Sequence, residues 1–376
     1  MPSPTPESAI LERLPDPVMV VAASPGERRI AFANAAARET FRLRGEGQPL
    51  VTAIRHPKVL EAVEASLFEN AEREVAYDAV GAQDRHWLVL SRPLGENQAV
   101  VIFRDQTDAR RSERLRADFL ANASHELRTP LASLTGFIET LRGHAKDDPA
   151  ARDHFLSIMH VQADRMARLI DDLLSLSRIE LSEHIPAAGE VDLAAATADV
   201  VSALAPQIAE RQVTIDFSPP GPVLAEGDRD QIVQVIQNLV DNAIKYTPPG
   251  KPVHIELMAD ETVEGLTASR MEGAARQSLL TPDHDGASRY VAIRVTDEGP
   301  GMARQHLPRL SERFYRAPGQ KSGAASGTGL GLAIVKHIVN RHRGGLFVES
   351  AEGQGASFTA YLPALSWNCR TTVTAR

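Results

Sequence analysis

Apolar residues recur with a helical period through the middle of the chain. Leu127, Leu131, Leu134, Ile138 and Leu141 follow 4-3-4-3 spacing, and Leu156, Met159, Ala163, Met166, Ile170 and Leu173 follow 3-4-3-4-3. Each set marks one apolar face of an amphipathic helix. "GHAKDDPA" joins the two, and Pro149 suits the first position of the second helix. A short connection makes the pair an antiparallel hairpin. One hairpin alone leaves much of its stripe in water. Two copies packed as a four-helix bundle bury it, so the pattern predicts a homodimer.

On either side the period changes. Before the hairpin, "DPVMVVAA", "RRIAFANAAARETF", "HWLVLSRPL" and "AVVIFRDQT" read as strands with a short helix, and "HPKVLEAVEASLFENA" reads as a helix opened near Pro57. A small antiparallel sheet with helices on one face follows. After it, "VTIDF", "VHIEL", "YVAIRVTD", "LFVES" and "SFTAYLP" are strand candidates, interleaved with the helix candidates "DQIVQVIQNLVDNAIKY" and "GLGLAIVKHIVNRH". That alternation predicts a two-layer α/β sandwich on a mixed sheet. The expected organisation is a leader at 1–13, a small α/β domain at 14–104 and the helical hairpin at 105–183. A linker at 184–192, the sandwich at 193–364 and a tail at 365–376 complete it. The fold class is therefore multidomain α+β. Residues 259–289 are polar and read as a partly disordered hairpin insertion.

Composition narrows the chemistry. The chain has 376 residues, a formal net charge of -8 and no long basic run, which argues against nucleic acid as its partner. One cysteine, Cys369, excludes an intrachain disulfide and fits a reducing compartment. "MPSPTPESAI" lacks the charged start and apolar run of a signal peptide. The longest weakly polar stretch, "VDLAAATADVVSALA", contains Asp192 and Asp199, so no membrane span is expected. The chain reads as cytoplasmic, or as the cytoplasmic part of a membrane receptor with a membrane-associated signalling partner. In the first domain His56 and His86 read as solvated surface residues, not as haem ligands.

His125 stands out on the first hairpin helix. Leu127 lies about 200° and Leu131 about 240° around the axis from it, so the imidazole faces away from the apolar seam. Thr129, one turn on, shares its face. Glu126 can flank the ring. Pro130 removes a backbone donor just beyond and can bend the helix there.

Four later stretches fit one ligand. In "NLVDNAIKY", Asn238 and Asn242 stand one turn apart with Lys245 beyond, and amide oxygens beside an ammonium suit magnesium and a triphosphate. In "DEGPGM", Asp297 ends an apolar strand, where a carboxylate can accept from an exocyclic amine such as that of adenine. Gly299 and Gly301 let the chain turn close to the ring. In "GTGLGLAIVKHIV", Gly327, Gly329 and Gly331 lead into a helix whose free amides attract phosphate. This is neither a Walker loop nor the dinucleotide fingerprint. "GQGASF" opens the last strand. "RFYRAPGQKSGAAS" has the composition of a mobile lid.

Together "SHELRTP", "NLVDNAIKY", "DEGPG", "RFYR", "GTGLGL" and "GQGASF" resemble the boxes of bacterial sensor histidine kinases of two-component systems, over about residues 115–363. The N-terminal part is similar, more loosely, to a PAS sensor domain. "HLPRLSERFYR" and the helix containing "HPK" are most similar to the phosphate-regulon branch of that family.

The resemblance implies that ATP binds the last domain, of the GHKL type, with Mg2+ near Asn242. Asn238, Lys245, Tyr246, Gly299, Gly301, Phe314, Gly327, Thr328, Gly329, Leu330 and Gly331 would surround the nucleotide, and Asp297 would read adenine. It implies attack by His125 on the γ-phosphorus, with Glu126 at the other ring nitrogen, and transfer of the phosphoryl group to an aspartate of a response regulator. Thr129 would hold water for the reverse, phosphatase reaction. Ala356 departs from the pattern, standing where Ser or Thr is common. Two alternatives are a non-catalytic scaffold that only binds a regulator and a GHKL-type ATPase. The ATPases place a Glu four residues before the metal-site Asn, where this chain has Asn238.

Overall fold

The computed structural model describes residues 10–365 apart from 25, 44, 46, 80–84, 184, 220, 283–288 and 319–326. Most of the expected leader, nearly all of the tail with Cys369, and part of the lid segment lie outside the described residues. Two compact units meet in the chain at Ala121 and Asn122.

The first unit runs β1 (Val18–Ser24), β2 (Glu27–Ala33), α1 (Ala35–Thr40), α2 (Leu50–Ala53), α3 (Pro57–Phe68), β3 (Arg73–Ala79), β4 (Arg85–Gly95) and β5 (Gln98–Asp105). Every strand pair is antiparallel, in the order β2-β1-β5-β4-β3. The apolar face of α3 buries Val59, Val63 and Leu67 in one core with Met19, Ile30, Trp87 and Phe103. Phe41 and Trp87 both pack on Phe103, the former at 4.6 Å between ring centres. Buried Asn34 ties the sheet to the segment before it. Its Oδ1 accepts from the Val18 and Ala37 amides, and its Nδ2 donates to the carbonyls of Leu11, Leu14 and Asp16.

Neither histidine of this unit is a plain solvated residue. Asp78 and His86 face each other across β3 and β4, and His86 Nδ1 lies 2.6 Å from Asp78 Oδ1 with the His86 side chain 16% exposed. That hydrogen bond holds the Asp78 carboxyl below its ordinary range. His56 precedes α3 and its ring lies 5.3 Å from that of Tyr77. Cross-strand register brings Asp78 to His86, and the packing of α3 against β3 brings Tyr77 to His56, neither of which a linear pattern shows.

In the chain, α4 (Thr107–Arg142) and α5 (Pro149–Ser182) follow, and the helical geometry of α4 continues through Pro130. Asp148 caps α5 by accepting from the Ala150 and Ala151 amides, with Pro149 at the first position. Phe137 and Phe155 meet across the hairpin at 5.4 Å. Leu131, Ile138, Leu156 and Ile170 stay exposed on the single chain, as their stripe predicts for an unpartnered face.

The sandwich contains β6 (Glu190–Asp192), α6 (Leu193–Ala203), α7 (Ala205–Arg211), β7 (Thr214–Phe217), β8 (Leu224–Glu226), α8 (Arg229–Tyr246), β9 (Pro252–Glu261), α9 (Val263–Ala268), β10 (Ala275–Leu280), β11 (Tyr290–Asp297), α10 (Gly331–Arg341), β12 (Gly345–Ser350) and β13 (Ala356–Pro363). Its six-stranded sheet has the order β10-β12-β13-β11-β9-β7; β7 and β9 run parallel and the other pairs antiparallel. β6 pairs with β8, so the end of the expected linker belongs to the sandwich.

The polar stretch 259–289 is not the simple hairpin expected from sequence. Within it β10 joins the sheet edge beside β12, distant in sequence, and α9 lies between β9 and β10. Residues 283–288 lie outside the described residues. Leu266 of α9 is fully buried against Tyr290, Phe347 and Tyr361, on the sheet face opposite Val291, Ile293 and Val295, since successive strand residues alternate faces. The charges that made the stretch look solvated are spent inward. Arg276 pairs with buried Glu349 at 2.9 Å and donates to the carbonyls of Thr267 and Ser269.

Candidate functional site

α8 starts where Asp228 caps it by accepting from the Asp230 and Gln231 amides. Its apolar face (Ile232, Val235, Ile236, Leu239, Val240) is buried, which turns Asn238, Asp241, Asn242 and Lys245 toward a cavity of about 640 Å3. Tyr246, Asp297, Gly301, Gly327, Thr328, Gly329 and Gly331 also border it. These groups come from distant parts of the chain and face one space.

Asp297 closes one end. It is 6% exposed, its Oδ1 accepts from the Gly299 amide at 2.8 Å, and burial pushes its carboxyl up to about 6 although backbone amides of Gly299 and Ala356 oppose the shift. The glycines behind it are required by close approach. At Gly301, φ is +66° and a Cβ would lie 1.8 Å from the Ala351 carbonyl oxygen. Ala356 also borders the cavity, so no side-chain hydroxyl comes from that position.

At the other end, burial and then the Arg316 guanidinium bring Lys245 down to about 8. Burial raises Asp241 and Asp172. The Phe314 amide donates to the Gly329 carbonyl at 2.9 Å, and Gly329 takes φ +74° so closely against Phe314 that a Cβ would lie 2.9 Å from the Phe314 Cα. Thr328 Oγ1 donates to Asp172 Oδ2 at 2.6 Å and accepts from the Leu330 amide at 3.3 Å.

Three of the residues expected around a nucleotide do not border the cavity. Gly299 and Phe314 stand behind it, as backbone partners of Asp297 and Gly329. Leu330 is fully buried, its side chain anchoring the start of α10. An apolar side chain beside flexible glycines gains most by entering the core.

His125 is exposed on α4, as its angle from the leucines requires. Glu126 does not flank the ring; its Oε2 takes Arg165 Nη2 of α5 at 3.0 Å, because a guanidinium on the facing helix is a stronger partner than a neighbouring imidazole. Thr129 Oγ1 donates to the His125 carbonyl at 3.3 Å.

Sequence reasoning missed Arg165, Arg168 and Asp172 of α5, Arg211 of α7 and Arg316, all of which line the cavity. The α5 group follows helical spacing from Val161, yet only the fold sets that polar face against the sandwich.

Among described residues no helix is long and apolar enough to cross a membrane. Residues 115–182 match the His Kinase A (phospho-acceptor) domain family, and residues 227–366 match the Histidine kinase-, DNA gyrase B-, and HSP90-like ATPase family. The chain belongs to the sensor histidine kinases. It is 33% identical over 320 residues to the phosphate regulon sensor protein PhoR of Pseudomonas aeruginosa, covering 84% of this chain and 64% of that protein. It is 35% identical over 265 residues to the sensor-like histidine kinase SenX3 of Mycolicibacterium smegmatis, covering 70% and 62%. Against the sensor protein kinase WalK of Staphylococcus epidermidis it is 31% identical over 265 residues, covering 70% and 39%. The chain thus spans less than two thirds of the length of each of these sensor kinases.

Proposed function

We propose that this sensor kinase autophosphorylates on His125 with ATP and passes the phosphoryl group to an aspartate of a response regulator. The observation that carries the reading is the pairing, in one compact unit, of a solvent-facing histidine on a helical hairpin with a cavity whose walls suit a nucleotide at both ends. Asp297 takes the exocyclic amine of adenine, and the Gly327–Gly331 turn with Lys245 takes phosphates.

Mg2+ fits this wall. Asn242 and Asn238 offer neutral oxygens at the phosphate end, and no cluster of three His, Cys, Asp or Glu occurs among the described residues. Magnesium is commonly held by one or two protein oxygens together with substrate phosphates. Bound there by Asn242, it would neutralise charge on the triphosphate.

His125 does the bond-making. The nucleophile is a neutral imidazole, whose unprotonated ring nitrogen carries a lone pair. That nitrogen bonds to the γ-phosphorus while the β,γ-bridging oxygen departs with the bond's electron pair as ADP. The other ring nitrogen then sheds its proton. Glu126, held here by Arg165, takes that proton on changing partner. Exposure lets His125 meet the nucleotide and then the regulator. On dephosphorylation, Thr129 orients water after releasing the His125 carbonyl.

Further parts of the reading rest on their own observations. The bare stripe on α4 and α5 supports a homodimer. The antiparallel sheet of the first unit supports a PAS-like sensor, and likeness to PhoR supports phosphate-starvation signalling, with a membrane-associated partner and a cytoplasmic site of action. The test is incubation of the full chain with γ-labelled ATP. The wild type acquires acid-labile, base-stable label, and His125→Ala acquires none while still binding ATP. Steady hydrolysis without label would favour an ATPase. Nucleotide binding with neither label nor hydrolysis would favour the scaffold.

A further inference from the structure

One wall of the cavity is built by the hairpin. Val161, Arg165, Arg168 and Asp172 border it, spaced four, three and four residues apart on one face of α5. Two of the three polar members are engaged. Arg165 is held by Glu126 at 3.0 Å, and Asp172 accepts from Thr328 in the glycine turn at 2.6 Å. Arg168 lies between them. Its Nε reaches only the Asp164 carbonyl of its own helix, at 3.4 Å, and among the described residues its guanidinium makes no ion pair.

The Asp172–Thr328 bond fixes where Arg168 stands. One helical turn separates Arg168 from Asp172, so Arg168 borders the same cavity one turn from the residue that holds the Gly327–Gly331 turn. Lys245, Arg211 and Arg316 border the same cavity, and the positive charges of Arg316, Arg168 and Arg211 all act to depress Lys245. Asp172 and Asp241 offset them only in part, both being groups whose burial disfavours their charge. Glu210 and Asp297 border the cavity as well, yet among the described residues neither forms an ion pair with Arg168, and a guanidinium without an ion-pair partner on such a wall suits a phosphate group. Arginine is suited to it, since its planar fork pairs with two phosphate oxygens at once.

We infer that Arg168 is a positioning residue, reaching from the phospho-acceptor hairpin to the terminal phosphate of the nucleotide. The inference rests on the nucleotide reading above and adds direction to it. With the base held at Asp297 and the phosphates at the glycine turn, the last phosphate is the one that faces α5. A diphosphate ends before Arg168, whereas a triphosphate reaches it. Arg168 therefore ties the hairpin's docking on the sandwich to which nucleotide is bound, and it holds the phosphorus that is to be transferred.

The experiment compares affinities of the full chain for a non-hydrolysable ATP analogue and for ADP, by titration calorimetry with Mg2+. The wild type, Arg168→Ala, Arg168→Lys and Asp297→Asn are measured. Arg168→Ala should lose about tenfold for the triphosphate, the worth of one charged hydrogen bond, and less than about twofold for ADP. Arg168→Lys should recover part of the loss, because charge is kept and the fork is not. A wild-type ratio of triphosphate to diphosphate affinity that persists in Arg168→Ala would overturn the inference, as would an equal loss for both nucleotides. If the wild type binds neither nucleotide, or Asp297→Asn binds both as well as the wild type, the nucleotide reading itself fails and takes this inference with it.

Discussion

Asp297 occupies a place that opposes its own ionisation. Burial lifts its pKa to about 6 from an ordinary 3.8, so between these values the folded chain holds a proton that the unfolded chain has released. Stability contributed by this group therefore rises as pH falls through about 6, and above that pH the buried charge is a cost of up to about 3 kcal/mol. Asp297→Asn removes the charge at similar volume. In urea denaturation at pH 8 the variant should be more stable by about 1–3 kcal/mol, with the gap closing toward pH 5. Nucleotide affinity should move the other way. The variant loses tenfold or more, and the wild type weakens as pH drops through about 6, where the accepting carboxylate takes a proton. A variant less stable at pH 8, or wild-type binding that is flat from pH 8 to 5, would remove the argument. That an acid sits here was legible from its place at the end of an apolar strand before two glycines. Its perturbed ionisation was not, because desolvation depends on what packs over it.

At the scale of elements, five strands of the sandwich (β7, β9, β11, β12 and β13) and both hairpin helices were legible because each carries its own period. The segment from Val263 to Leu280 was not. It lies within a stretch that reads as a polar insertion, yet α9 and β10 are built into the sheet. A single apolar residue does much of the anchoring: Leu266 is 0% exposed, packed on Tyr290, Phe347 and Tyr361. Leu266→Ala should cost about 3 kcal/mol in urea denaturation, from lost transfer energy and the cavity left behind. A change under about 0.5 kcal/mol would mean that α9 is not seated on the sheet. The same logic separates Leu330 from its neighbours. The family resemblance implied ligand contact, but a leucine next to a core enters it. Glu126 pairs away from the ring for a related reason. Proximity to His125 is a sequence fact, whereas Arg165 becomes its neighbour only through the hairpin.

At the scale of the whole molecule, the hairpin's exposed stripe governs assembly. Leu131 is 54% and Ile138 45% exposed, and the bundle that would cover them needs a second copy. The pair Leu131→Glu and Ile138→Glu places like charges on that seam and should convert a dimer to monomers in light scattering, with autophosphorylation reduced if His125 is served by the partner's nucleotide. A wild-type chain that scatters as a monomer at micromolar concentration would exclude the bundle. Sequence alone determined the hairpin, the outward histidine, five strands of the sandwich and many of the amide, glycine and charged groups around the cavity. Helical period, strand alternation, glycine and capping chemistry act over a few residues and can be read without a fold. Tertiary structure decided the covering of His56 and His86, the inward turn of Leu330, the capture of Glu126 by Arg165 and the seating of α9 and β10. It also placed the α5 face, Arg168 included, along the cavity. Each of these depends on which distant surface arrives, and a linear pattern holds the propensities of a residue but not the identity of the neighbour that will bury, pair or oppose it.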